Sequence, residues 1–272
     1  MHTFSRFVYL DTNILSYIAK DSTLWSPLLD YLIGNDFTLG VGTSQIVELA
    51  DATRLHASLA DLFTMVPSAL LKTPDQILSE EVSAHPNRRV DSLLSYPLNA
   101  LFLEKGGPAK IEAFLSSGSL AAGRARQKRL AAAALQRYRE LKNNFPLHRS
   151  GKYTVSQSAS FASAMVIQWL ADEYRDFIER FKDDASELHT DTFLSLRAYG
   201  LVIYYKYYIG RREPLKPSDF GDLGHSYFLP YCEIVVVERD LANVLFQIKQ
   251  GTDVLSNTRV ETIDFIRSFT IA

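Results

Sequence analysis

The spacing of hydrophobic and polar residues in the first part of the chain predicts strands and helices that follow one another in turn. The apolar run over residues 7–10 has the length of a buried strand, and Ile14, Leu15 and Ile18 then share one helical face. Thr43 and Ser44 form an N-cap signal for a helix that carries Glu48. The other predicted elements are a helix over 12–20, a helix over 24–33 and a strand over 37–41. This alternation indicates a parallel sheet flanked by helices.

The pattern changes over residues 55–215, where helical periodicity prevails and no convincing strand is predicted. The predicted helices span 124–143, 158–182 and 187–208, and the predicted loops span 73–86 and 105–108. We therefore expect an all-helical insertion over 55–215.

Strands and helices alternate again after Pro217. The predicted elements are a helix over 218–228, a strand over 233–237, a helix over 241–250, a short strand over 254–255 and a helix over 260–269. The sequence thus predicts an α/β class with a three-layer parallel sheet domain, formed by residues 1–54 and 216–272 around the insertion.

Composition limits the classes of protein to be considered. The chain has 272 residues, 47% of them hydrophobic, which is enough for a substantial core. A net charge of −2 means that any nucleic-acid binding must come from local patches. The single cysteine, Cys232, lies beside an apolar run and is expected to be buried. No segment approaches roughly 18 consecutive apolar residues, so we expect a cytoplasmic protein without a membrane partner.

Acidic residues occur where the predicted sheet would bring them together. Asp11 follows the first strand, Glu48 lies on the helix after the second, and Asp240 follows the strand over 233–237. Asp219 and Asp222 lie three residues apart in one helical turn. Each acid alone is explained more simply as a helix cap or a solvated residue. Their shared position at one sheet edge favours a site, because crowded carboxylates are tolerated mainly around a cation.

Oxygen ligands alone suit Mg²⁺ or Mn²⁺. Zinc fits less well, since the six histidines are scattered and the cysteine has no partner. A metal held by such acids can position a water and neutralise charge on a phosphate, so the residues predict a metal-dependent hydrolase of phosphodiesters.

Four segments carry the candidate acids, and they read VYLDTN from Val8, SQIVE from Ser44, SDFGDLGH from Ser218 and VVVERD from Val235. Together they resemble a PIN domain, a fold whose families are mostly Mg²⁺- or Mn²⁺-dependent ribonucleases and include toxins of toxin–antitoxin pairs. The resemblance covers about the first 54 and last 57 residues of the chain, and the long middle is not covered.

The resemblance implies a role for each acid. Asp11, Glu48, Asp222 and Asp240 would be the metal ligands, and Asp219 would share the role of Asp222. Asn13 or Thr12 would orient Asp11 or contact a metal-bound water, while a helix-start hydrogen bond explains Asn13 equally well. RNA is favoured as substrate by the resemblance alone. An antitoxin, another protein or a second copy of the chain are the protein partners to consider.

Basic residues near these acids could contact a polyanion. Four of them share one predicted helix, and two more precede the second part of the sheet: Arg124, Arg126, Lys128 and Arg129, then Arg211 and Arg212. A solvated helix face is the simpler explanation, and a phosphate-tracking groove is the functional one. The tyrosines around Lys206 could stack on bases, but at this density they are more typical of a core.

Three other functions compete with the ribonuclease hypothesis. A structure-selective DNA nuclease would use the same acids, and a PIN-like scaffold would keep the fold without activity. A phosphatase would use Asp11 as its nucleophile, but Asn13 stands where a second acid would be expected.

Overall fold

The structure, a computed structural model, describes residues 6–88, 90–99, 106–144, 153–210 and 216–269. Within these ranges six strands form one sheet. They are β1 Phe7–Leu10, β2 Thr38–Val41, β3 Ser68–Leu71, β4 Leu94–Pro97, β5 Ile234–Val236 and β6 Arg259–Glu261.

The strand order in the sheet is β4-β3-β2-β1-β5-β6. All neighbouring strands are parallel except β4, which is antiparallel to β3. Val8 is in register with Leu39 on one side and with Ile234 on the other, so β1 lies between the two halves of the sheet. The order reverses between β1 and β5, and such a switch point leaves a crevice at the carboxyl ends of the strands.

Helices cover both faces of the sheet. The α-helices are α1 Thr12–Lys20, α2 Trp25–Gly34, α3 Thr43–Leu49, α4 His56–Met65, α5 Pro74–Ala84, α6 Gly107–Leu115, α7 Gly118–Asn144, α8 Ser158–Glu173, α9 Arg175–Ile178, α10 Leu194–Ile203, α11 Ser218–Gly221, α12 Arg239–Gly251 and α13 Ile263–Ser268. A π-helix over Tyr204–Ile209 continues α10, and a 3₁₀ helix over Asp222–Tyr227 continues α11.

Alternate residues of β1 enter two different cores, as expected for a strand buried on both faces. Val8 and Leu10 pack with residues of α1, α2, α3 and α4, whereas Phe7 and Tyr9 pack with residues of α10, α12 and the π-helix. The predicted three-layer α/β arrangement is therefore present. The tyrosines that flank Lys206 are buried in the second core, which confirms that they are core residues.

The predicted absence of strands over 55–215 is wrong, because β3 and β4 both fall in that stretch. β3 has the sequence SALL, which carries no β-branched residue, and its pairing with β2 overrides its local preference. The predicted loop over 73–86 is also wrong. The residues instead form α5, which has Pro74 at its first helical position. The helix is capped by Thr73, whose hydroxyl accepts the Gln76 N–H at 3.2 Å.

Two other predicted elements differ from the observed ones, one in position and one in continuity. The last strand lies at β6 rather than over 254–255, where Val254 and Leu255 are buried in a turn closed by a hydrogen bond from the Ser256 N–H to the Asp253 carbonyl. The helix over 158–182 is interrupted at Tyr174. In the ranges that the structure describes, no helix is both long and apolar enough to cross a membrane.

Candidate active site

A cleft of about 450 Å³ opens at the carboxyl ends of β1 and β5, where the strand order reverses. Asp11 follows β1 directly, and its N–H donates to the Val236 carbonyl of β5 at 2.8 Å, which extends the ladder between the two strands. Five carboxylates line the cleft: Asp11, Glu48, Asp219, Glu238 and Asp240. The structure therefore brings together four of the five acids predicted from sequence.

Asp11 lies at the N-terminus of α1, where its Oδ1 accepts the Thr12 N–H at 2.8 Å. Burial raises the pKa of the Asp11 carboxyl, the nearby His225 lowers it, and the charges of Glu238 and Glu48 raise it further. The net result is a pKa above the ordinary aspartate value. The ionised form of Asp11 is therefore destabilised in this cleft, as expected where a countercharge is needed.

Glu48 is held by partners from two other elements. Thr12 Oγ1 donates to Glu48 Oε2 at 2.6 Å, and His225 Nε2 lies 3.3 Å from Oε1. Burial would raise the pKa of Glu48, but the hydrogen bond and charge of His225 outweigh it, and with Thr12 they bring the pKa below the ordinary value. The pKa of Glu48 is thus lowered and its carboxylate is oriented by two partners, whereas the pKa of Asp11 is raised.

A buried chain of hydrogen bonds supports this orientation. The Tyr9 hydroxyl lies 2.5 Å from His225 Nδ1. A neutral His225 with its proton on Nε2 accepts from Tyr9 and donates to Glu48, and a doubly protonated ring, whose charge lowers the pKa of Asp11 and of Glu48, donates to both partners. Burial, followed by the charges of Asp11 and Glu48, raises the pKa of Tyr9 well above its ordinary value, so its hydroxyl keeps its proton.

The start of α3 is tied to β1, which sets the position of Glu48. Gln45 accepts the Gly42 N–H on its Oε1 at 2.8 Å and donates from Nε2 to the Leu10 carbonyl. The helix is capped at Gly42 rather than at the Thr43–Ser44 pair expected from sequence. Gly42 faces Phe228, whose ring carbon Cε2 would lie 2.7 Å from an added Cβ.

The remaining predicted acids lie on short or exposed turns. Asp240 is exposed in the first turn of α12. Asp219 Oδ2 accepts the Lys216 N–H at 3.1 Å, and its carbonyl accepts the Tyr207 hydroxyl at 2.5 Å. Asp222 begins the 3₁₀ helix, so the predicted single helix over 218–228 changes pitch there. The side chain of Asp222 lies outside the described part of the structure.

A basic wall, formed by Arg124, Lys128 and Lys206, faces the acids across the cleft. The first two lie one turn apart on α7, which packs against α3 and α11. Both contact Asp51, with Arg124 Nε at 2.8 Å and Lys128 Nζ at 3.6 Å from its Oδ2. Lys206 comes from the π-helix.

The other predicted basic residues are not brought to the cleft by what the structure describes. Arg129 is exposed on α7 and does not line the cleft. The Arg126 side chain, Arg211 and Arg212 lie outside the described residues.

Asn13 contacts Glu238 rather than Asp11, with Nδ2 donating to Oε1 at 2.7 Å. The sequence pattern alone indicates no role for Glu238, Lys206 or Tyr9. Glu238 could have been found from its place directly after a strand, beside Asp240. Lys206 could not, because its approach to the cleft depends on the packing of a distant helix.

The donor chemistry of the cleft fits a hard divalent cation, since it offers carboxylate oxygens and the Thr12 hydroxyl. Oδ2 of Asp11 accepts no hydrogen bond from the described residues. Within the same residues, no three His, Cys, Asp or Glu side chains form a group that could hold a metal ion as they stand. The cleft therefore offers the kinds of ligand atom that such a cation prefers, while its described side chains are not already grouped around one point.

The cleft combines converging carboxylates, a buried Tyr9–His225–Glu48 chain and a facing basic wall. Such an arrangement can hold a polyanion and present acids to it. No family model, curated protein or solved structure matches this chain, so the chemistry of the cleft rests on its own residues.

Proposed function

We propose that this protein is a PIN-like, Mg²⁺- or Mn²⁺-dependent nuclease that hydrolyses phosphodiester bonds, most readily in RNA. One observation carries the proposal: five carboxylates and three basic side chains line a single cleft at the switch point of a parallel sheet. Carboxylates alone would repel a nucleic acid, whereas a facing basic wall attracts its phosphates.

Each group has a task in this proposal. Asp11, Glu48 and Asp240 would hold the metal with the support of Asp219, and the resemblance to PIN domains adds Asp222 to these ligands. The metal would supply a Lewis acid and lower the pKa of a bound water.

The chain's own residues bind and orient the reactants. Thr12 and His225 keep Glu48 ionised and fixed through the hydrogen bonds at 2.6 and 3.3 Å. Arg124, Lys128 and Lys206 would contact phosphates and offset the charge of the acids. None of these groups reads a 2′-hydroxyl, so the preference for RNA rests on the resemblance to PIN domains.

The test is cleavage of single-stranded RNA and single-stranded DNA of matched sequence, each incubated with Mg²⁺, Mn²⁺ or EDTA. The proposal predicts metal-dependent cutting that is faster on RNA. Faster cutting of DNA would support the nuclease mechanism and would identify DNA, rather than RNA, as the preferred substrate. A protein that cuts neither strand in any metal, and binds neither, would contradict the proposal.

A nucleic-acid-binding module without catalysis is the second candidate. The observation that favours it is the state of Glu48, because both of its oxygens already have hydrogen-bonding partners. Tight, salt-dependent binding of RNA without cutting in Mg²⁺ or Mn²⁺ would select this candidate.

A further inference from the structure

A second cleft, of about 340 Å³, adjoins the first. Asn13 and Glu238 line both clefts, and the hydrogen bond between them therefore forms the ridge that separates the two. We call the second one the distal cleft; its lining includes Tyr17, Arg239 and Arg267. Its volume lies within the usual range for sites that take small ligands.

Tyr17 offers an aromatic surface at this cleft. It lies on α1, about one helical turn beyond Asn13, and is 37% exposed. The guanidinium carbon of Arg267 lies 5.5 Å from the centre of its ring. An exposed tyrosine with a neighbouring arginine forms a platform of the kind on which unpaired bases stack.

Two arginines supply positive charge next to that platform. Arg239 Nη2 and Arg267 Nη1 lie 3.9 and 3.4 Å from the two oxygens of Asp264, so they share one carboxylate. Their side chains are 82% and 52% exposed. Ion pairs this exposed contribute little to stability, so exchanging Asp264 for a phosphate costs either guanidinium group little. Arg267 also makes a hydrogen bond with the side chain of Tyr17, which keeps it next to the ring.

We propose that the distal cleft is a nucleotide subsite for the substrate strand, an inference that rests on the proposed nuclease function. Tyr17 stacks an unpaired base, and Arg239 and Arg267 contact the adjacent phosphate. The strand then crosses the ridge of Asn13 and Glu238 into the acidic cleft, where the basic wall binds its other side. The subsite selects single strands, because a paired base has no free face for the ring.

The test uses Asp11→Asn, so that the strand stays intact, and fluorescence anisotropy with a short labelled single-stranded RNA in Mg²⁺. Tyr17→Ala should weaken binding about fivefold or more, whereas Tyr17→Phe should retain it. Arg267→Gln should weaken binding and reduce its salt dependence. Tyr96→Ala is the matched control, since Tyr96 is 43% exposed on β4, at the far edge of the sheet.

A second readout detects stacking directly. A fluorescent adenine analogue in the RNA should be quenched by the protein, and Tyr17→Ala should abolish part of that quenching while Tyr96→Ala leaves it unchanged. If RNA binds but the two alanine variants behave alike, the subsite is wrong and the proposed nuclease function stands. If RNA binds to neither the wild type nor Asp11→Asn, both proposals fail.

Discussion

Buried carboxylates in this protein have different environments, and Glu81 shows the largest effect of burial. It is 2% exposed on α5 and accepts hydrogen bonds from the Ser195 N–H, the Ser195 hydroxyl and the Tyr231 hydroxyl. Burial nevertheless dominates and raises the pKa of Glu81 to about 7. The protonated acid is then the favoured form in the folded state below neutral pH.

This shift predicts a pH-dependent stability. The folded pKa of Glu81 lies above its unfolded value of 4.5, so the stabilising contribution is complete below pH 4.5 and is lost as the pH rises through about 7. Between pH 5 and pH 8 the wild type should lose up to about 3 kcal/mol of unfolding free energy relative to Glu81→Gln. Urea unfolding of both proteins at the two pH values measures this. An equal change in both proteins would contradict it.

Gly42 gives a prediction about packing. An added Cβ would lie 2.7 Å from Cε2 of Phe228, whose ring is fully buried and stacks with Tyr9 at 5.9 Å. Gly42→Ala should therefore cost about 1–3 kcal/mol of unfolding free energy, because a tightly packed ring must shift. Denaturant unfolding measures the loss.

Gly34→Ala is the matched control for this substitution. Gly34 ends α2 in the open, with no atom within 4 Å of an added Cβ, and alanine should be neutral or stabilising by up to about 1 kcal/mol there. Equal effects of the two substitutions would mean that the contact with Phe228 is relieved without strain.

Helix α7 carries the next prediction, since one of its faces lines the cleft. Arg124 and Lys128 lie on that face, whereas Arg129 is exposed and does not line it. The double variant Arg124→Gln, Lys128→Gln should bind single-stranded RNA more weakly. If each residue contacts one phosphate, the slope of log affinity against log salt should fall by about 1.4 in magnitude.

Binding measured over a series of salt concentrations checks this, with Arg129→Gln as the control from the same helix. The control should keep the slope of the wild type. Equal slopes in all three proteins would assign the α7 cations to a solvated helix face.

Elements with a strong local pattern were predictable from sequence, and those that depend on tertiary pairing were not. β1 and α1 follow directly from an apolar run and a one-sided helix. β3 did not, since its Ala and Leu residues favour a helix and only its place beside β2 makes it a strand. The loop predicted in place of α5 could have been avoided, because the capping signals at Thr73 and Gln76 are present in the sequence and indicate a helix start.

At the scale of the whole molecule, the strand order explains why distant residues form one site. Asp11 and Glu238 are far apart in sequence, but they follow β1 and β5, which are parallel neighbours. Both residues therefore lie at the same edge of the sheet. Acids that follow strands were therefore predictable. The basic wall was predictable only in part, because the side of α7 that faces the cleft depends on how α7 packs against α3.

Asp11 also gives a prediction about global stability. Burial raises its pKa, and the charges of Glu238 and Glu48 add to that shift, so its ionised form is destabilised in the folded protein. Asp11→Asn keeps the oxygen that accepts the Thr12 N–H and removes the charge. Its melting temperature without added metal at neutral pH should equal or exceed that of the wild type. A large decrease would assign Asp11 a structural role.

The rate of RNA cleavage by wild type, Asp11→Asn and Asp30→Asn in Mn²⁺ tests most directly whether the acidic cleft is the catalytic site. Asp30 is exposed on α2 and does not line the cleft, so its variant controls for the loss of one charge and for contaminating nuclease. We expect Asp30→Asn to cut like the wild type and Asp11→Asn to be slower by about 100-fold or more, since even partners of metal ligands can reach that factor. Equal cutting by all three proteins would show that this cleft is not where the bond is broken.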